Sequence, residues 1–188
     1  MPLHSLRRTH VFRLALVAAC AGVGCTPTLD WREVRPPGSQ LLLLFPCKPS
    51  AQQRQVPLAG QPVLLTLHAC SAGGQTWGLA VADVADPARV APALAALGAA
   101  AAANIGAAPP KIAPLADPSA AFIAVRGATP NPGSQRLLLH GKLPDGTGVT
   151  LHAAVFAHGT QVFQASVLGK QFAAETADVY FDSLRIQE

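Results

Sequence analysis

Three histidines and two cysteines, His68, His140, His152, Cys47 and Cys70, are the side chains of this 188-residue chain whose types and placement suit chemistry. His140 and His152 fall on neighbouring strands of a predicted antiparallel meander, on one face, as direct or diagonal cross-strand neighbours. His68 lies on another predicted strand, from which it could join them. Three imidazoles are a ligand set for zinc or copper. Histidines on an exposed sheet face are more often solvated polar residues, and no carboxylate is evident nearby to orient these. They are weak metal candidates, and no cofactor is expected.

Cys47 and Cys70 are expected to form a disulfide. Ala59-Gly60 can turn Gln52–Val56 back onto Pro62–Ala69, which sets Cys70 beside Pro49, a couple of residues from Cys47. An even pair in a small exported domain is ordinarily a bridge, and a loop of this length contributes roughly 3 kcal/mol in the chain-entropy view. The rival, a two-thiolate metal site, lacks a further cysteine and a histidine pair at finger spacing. The two cysteines do not form a Cys-x-x-Cys motif.

Other catalytic groupings are not evident. Ser71, Ser134 and Ser166 lack the Gly-x-Ser-x-Gly elbow. Asp83 and Asp86 read as turn and capping residues. Gly73-Gly74 and the glycines of Asp145-Gly146-Thr147-Gly148 meet the backbone needs of turns, without a phosphate. The chain is expected to be non-enzymatic.

The elements that must position these residues centre on 137–169. LLLHGKL, VTLHAAVF and QVFQASVLG read as three antiparallel strands joined at Pro144-Asp145-Gly146 and Ala157-His158-Gly159. If both loops have three residues, odd-numbered residues share one face throughout. That face is Leu137, Leu139, Leu143, Val149, Leu151, Ala153, Val155, Phe163, Ala165 and Val167. The other carries Arg136, His140, Lys142, Thr150, His152, Gln164 and Ser166, with Leu138, Ala154, Phe156 and Val162 as apolar exceptions. This is the pattern of a sheet covered mainly on one side, with room for partial cover on the other.

Before the meander, Leu41–Phe45 is a fully apolar strand, and Val63–Ala69 and Thr76–Val84 are strands about the Gly73-Gly74 turn. Asp86-Pro87 announces a helix with regular part from Val90 to Gly106, its stripe Val90, Leu94, Leu97, Ala101 and Ile105. Residues 107–134 read as a binding loop or connection containing a short strand, Phe122–Val125. Ala173–Asp182 gives a second helix, with Ala174, Ala177, Phe181 and then Leu184 turned to the core. Leu184–Ile186 closes as an edge strand.

Residues 1–24 read as an export signal: Arg7, Arg8 and Arg13 precede an apolar run, Leu14–Gly24, too short for the roughly 20 residues of a spanning helix. The eleven-residue run ahead of Cys25 favours Cys25 as a lipidated first residue. Cys20 follows good lipobox residues but only six apolar positions after Arg13, and ordinary cleavage after Ala21 is the third possibility. Residues 25–39, with Pro27, Pro36, Pro37 and Gly38, read as a tether in which Trp31 packs on the domain edge. Residues 40–188 then form one domain.

Removing the three signal arginines from the 14 Lys and Arg leaves 11 against 10 acids. A mature charge near +1 provides no basic patch for nucleic acid.

A strand ending Phe45-Pro46-x-x-Pro49, strands about Gly60 and Gly73-Gly74, an alanine-rich helix ending Asn104-Ile105-Gly106, a closing meander and Phe181-x-Ser183-Leu184-Arg185-Ile186 together resemble a PsbP-like domain, as carried by envelope lipoproteins of proteobacteria. The resemblance covers residues 41–186. It implies an α+β fold, an antiparallel sheet with two main helices arranged as an α/β/α sandwich. It also implies an extrinsic assembly or stabilising role, with no functional residue carried over.

The expected protein is therefore an accessory lipoprotein of the bacterial envelope. It is periplasmic, anchored through Cys25 to a membrane, the outer one by expectation, and in contact with an envelope protein. The alternative is a periplasmic binder of a small ligand or metal.

Overall fold

The chain folds as an α+β domain in a computed structural model that describes residues 28–109, 125–171 and 174–187. The strands are β1 (Arg32–Val34), β2 (Leu41–Phe45), β3 (Ser50–Leu58), β4 (Gln61–Ala72), β5 (Gln75–Asp83), β6 (Gln135–Lys142), β7 (Gly148–His158), β8 (Gln161–Gly169) and β9 (Arg185–Ile186). The helices are α1 (Val90–Ala103) and α2 (Ala174–Asp182). A six-stranded antiparallel sheet runs in the order β3-β4-β5-β8-β7-β6, and a small sheet in the order β1-β2-β9. The large sheet is thus two three-stranded meanders joined along β5 and β8, from Gln75 opposite Gly169 to Asp83 opposite Gln161.

The first meander turn keeps the expected three-residue form. Leu143 N–H donates to the Thr147 carbonyl across Pro144, Asp145 and Gly146, and the Asp145 carboxylate accepts the Thr147 N–H. The second turn does not. His158 pairs with Gln161, so the loop is the two residues Gly159 and Thr160, with Gly159 at φ +57°. Two residues instead of three invert the parity of β8 relative to β7. Phe163, Ala165 and Val167 therefore lie beside Phe156, Ala154 and His152, not beside Ala153, Leu151 and Val149.

This correction changes the architecture, because both faces of the large sheet are apolar. On one face Leu151, Ala153, Val155 and Ala157 of β7 meet Val90, Ala93, Leu94, Leu97, Ala101 and Ile105 of α1 and its end, as the helical stripe predicted. On the other, Ala154, Phe156, Phe163, Ala165 and Val167 meet α2 and the small sheet through Leu41, Leu43, Phe45, Ala177, Tyr180 and Phe181. Buried alanines on β7, β8 and α1 allow the layers to approach closely. At the foot of α1 the approach is closest, since a Cβ at Gly141 would fall 2.0 Å from the Ile105 carbonyl oxygen.

Several local expectations hold. The Asp86 carboxylate caps the turn ahead of α1 by accepting the Ala88 N–H. Ala59 and Gly60 have positive φ and make the two-residue turn that pairs Ser50 with Ala69. Cys47 and Cys70 are disulfide-bonded with Cα atoms 6.0 Å apart, which ties the end of β2 to β4 and so one layer to the next.

Others need adjusting. The expected tether contains a strand, β1, paired with β2, while Trp31 packs on the domain as expected, edge-on to Trp77 at 5.8 Å. Ala174 is exposed, and Tyr180 takes the central place in the core. Phe122–Ala124 of the expected short strand lie outside the described residues, while Val125 is buried and Arg126 bridges Arg185. Cys20 and Cys25 also lie outside them.

Tyr180 is fully buried between Trp77 and Phe45, at ring-centre distances of 5.4 and 5.5 Å, and its hydroxyl donates to the Gly78 carbonyl at 2.7 Å. Burial pushes the phenol far above its ordinary pKa, so it remains a neutral donor. Tyr180→Phe is expected to lose about 1 kcal/mol of unfolding free energy in urea, the net value of one buried hydrogen bond. An unchanged midpoint would show that this bond contributes nothing.

Candidate functional site

One group of polar residues on the α2 side of the sheet lies at its β6 edge. Side chains alternate along a strand, so Arg136, Leu138 and His140 of β6 share this side with His152 of β7. Leu138 pairs with His152 and His140 with Thr150, which makes the two histidines diagonal neighbours. From α2, Asp178 and Phe181 reach the same place. Arg136, Leu137, Leu138, His152 and Asp178 line an open recess of about 260 Å³.

Each contact in the recess has a local cause. The Arg136 guanidinium lies 4.5 Å from the Phe181 ring centre, where the ring face attracts a cation. It also approaches Asp178 at 3.4 Å, an exposed pair that contributes less than about 1 kcal/mol. His140 Nδ1 is 3.1 Å from the Thr150 hydroxyl, which orients that exposed ring. His152 is half-buried, with its ring 6.5 Å from Phe181. Desolvation first, then the positive Arg136, hold its pKa below the ordinary histidine value, with Asp178 opposing them and His140 adding to them. The result is a shallow amphipathic surface that joins a cation, a carboxylate and a neutral imidazole to an exposed leucine.

His68 is not part of it. On the way from β4 to β7 lie β5 and β8, three strand spacings or about 14 Å. His68 is buried on the α2 side of the sheet, where desolvation lowers its pKa, and its Nε2 has no hydrogen-bond partner. The expected joining of three histidines is thus corrected to the pair His140 and His152. Among the described residues no three His, Cys, Asp or Glu side chains are grouped as metal ligands.

Sequence reasoning placed Arg136, His140 and His152 on one face and missed Asp178 and Phe181 as their neighbours. Asp178 and Phe181 are three apart on α2, which marks one helical face. Nothing in that spacing indicates which strand the face meets. Compared with known proteins, the chain matches no family model, no curated protein and no solved structure. The site is therefore read from its own geometry.

Both lowered histidines make the folded state bind protons less readily than the unfolded one. Stability is accordingly full above the unfolded value of 6.5 and falls as pH drops through the lowered folded values. For His152 the charges separate cleanly. Arg136→Gln is expected to raise its pKa and Asp178→Asn to lower it further, as read by ring-proton NMR titration. A His152 midpoint indifferent to both would show that the recess does not act as one electrostatic unit.

Proposed function

We propose that this chain is a non-enzymatic accessory domain of the bacterial envelope, held at a membrane through a lipidated Cys25 and contacting another envelope protein. The observation that carries the contact is Leu138. It is 56% exposed in the middle of an edge strand, beside the amphipathic recess. An apolar side chain ringed by polar groups on an edge strand suits a protein contact. Among the described residues, the imidazole–hydroxyl pair His140 and Thr150 stands on an open strand surface.

The anchor reading rests on the sequence, with its basic start, short apolar run and small residues before Cys25. The PsbP-like resemblance agrees with an extrinsic role, and the α+β class agrees with the resemblance.

A photo-reactive residue at position 138, with position 64 as the control at another exposed leucine, tests the contact in native membranes. Position 138 is expected to capture one recurring protein neighbour. The intact mass of the chain extracted from those membranes should start at Cys25 and carry diacylglycerol and acyl groups. Capture of no neighbour, together with a melting temperature raised by a small ligand or metal, would transfer support to the small-ligand reading.

A further inference from the structure

The two edges of the large sheet are built differently. β3, at one edge, carries Gln52, Gln53, Arg54 and Gln55 in succession, all exposed, with Pro57 near its end. Polar residues and proline are how an edge is kept from pairing with other strands. β6, at the other edge, carries Leu137, Leu138 and Leu139 in succession.

The direction of the β6 backbone follows from two hydrogen bonds. Leu143 N–H turns inward to Thr147, and Lys142 N–H turns outward to the Ile105 carbonyl at 2.7 Å. Alternation along an antiparallel strand then turns the N–H and C=O groups of Arg136, Leu138 and His140 outward as well. Among the described residues, Ile105 covers this edge at Lys142. The stretch left spans five residues, about 16 Å of strand.

We infer that Arg136–His140 accepts an extended segment of a partner protein as a seventh strand, one with an apolar residue opposite Leu138 and acidic residues two positions to either side. The inference rests on the protein-contacting reading above and names the partner's chemistry. Main-chain hydrogen bonds supply the affinity of such strand addition, and alternate side chains supply the specificity. Charge selects the occupant. The ionisable residues of β6 are Arg136, His140 and Lys142, with no acid among them. A second copy paired antiparallel about Leu138 would set each Arg136 against the other copy's His140. That places cation against imidazole and leaves no acid on either strand, whereas an acid–x–apolar–x–acid segment offers Arg136 a second carboxylate beside Asp178 and offers the His140 ring a hydrogen-bond acceptor.

The test titrates the full chain with a blocked pentapeptide of glutamate, threonine, valine, threonine and glutamate, and with its counterpart bearing lysine in place of both glutamates. Amide hydrogen exchange and NMR shifts are the readout. The acidic peptide is expected to slow exchange at Arg136, Leu138 and His140, with the lysine peptide bound at least about tenfold more weakly. His140→Pro removes an outward N–H while leaving the ladder to β7 in place. Leu138→Asp keeps the backbone and reverses the attraction. Each is expected to abolish the protection.

No binding of the acidic peptide, equal binding of the two peptides, protection at β3, or binding indifferent to both substitutions overturns the inference. A concentration-dependent dimer protecting the same amides overturns the assigned occupant. A membrane neighbour captured from another surface would leave the accessory reading standing and remove β6 as its site. Absence of any neighbour, alongside peptide binding at β6, would do the reverse.

Discussion

The fold depends on how β8 is set against β7 by the two residues Gly159 and Thr160. Side chains alternate with period two, so the length of this loop decides which half of β8 joins which half of β7. With two residues, Phe163, Ala165 and Val167 gather with Ala154 and Phe156 on one side, and Val162 joins Val155 and Ala157 on the other. Each side then needs its own cover. α1 supplies one, and α2 with the small sheet supplies the other. The turn is itself held in place. Thr160 accepts the Val84 N–H through its carbonyl, and the Gly159 N–H donates to the Thr129 hydroxyl.

The cover on the α2 side is held by a chain of aromatic contacts and one covalent bond. Trp31, Trp77, Tyr180 and Phe45 touch edge to face in succession, linking the segment before β1 to β5, α2 and β2. The Cys47–Cys70 bridge joins the same layers at the end of β2. On the α1 side the polar element is Arg89, whose guanidinium donates to the Val84 and Leu58 carbonyls and fastens the start of the helix to the ends of β5 and β3. Small residues do the rest. Alanine and glycine bury little area each but let helix and sheet backbones come close, as at Gly141 against Ile105.

The recess owes its character to position at the rim of these layers. Towards the centre of the sheet the α2 side is filled by Trp77, Leu79 and Phe163. At β6 the cover of α2 runs out, so Arg136 keeps a half-exposed guanidinium on Phe181 and Leu138 keeps most of its surface. His152 lies at the boundary, desolvated enough to remain neutral and near enough to Arg136 and Asp178 to respond to both. Buried His68, on the same side of the sheet four strand positions from β6, shows the contrast that burial alone makes.

Local features decided much of the structure without help. The Ala59-Gly60 turn set the β3–β4 register and with it the cysteine pairing, because a two-residue turn admits one register. The stripe of α1, the Asp86 cap on the turn ahead of it and the Pro144–Gly146 loop are equally local, and all three stand where the residue pattern puts them. Tertiary structure decided what a pattern of one residue's precision could not. Gly159 can turn a loop of two residues or three, and only the packing of two apolar faces selects two. β1 is three residues without an alternating pattern, and its pairing comes from β2. The buried face of α2 is turned towards Tyr180 and away from Ala174, because the core takes the aromatic ring, which also reaches the Gly78 carbonyl. The meeting of Arg136, His152 and Asp178 joins strands and a helix distant in sequence. It exists only because β8 is turned so that α2 must pack where the sheet ends.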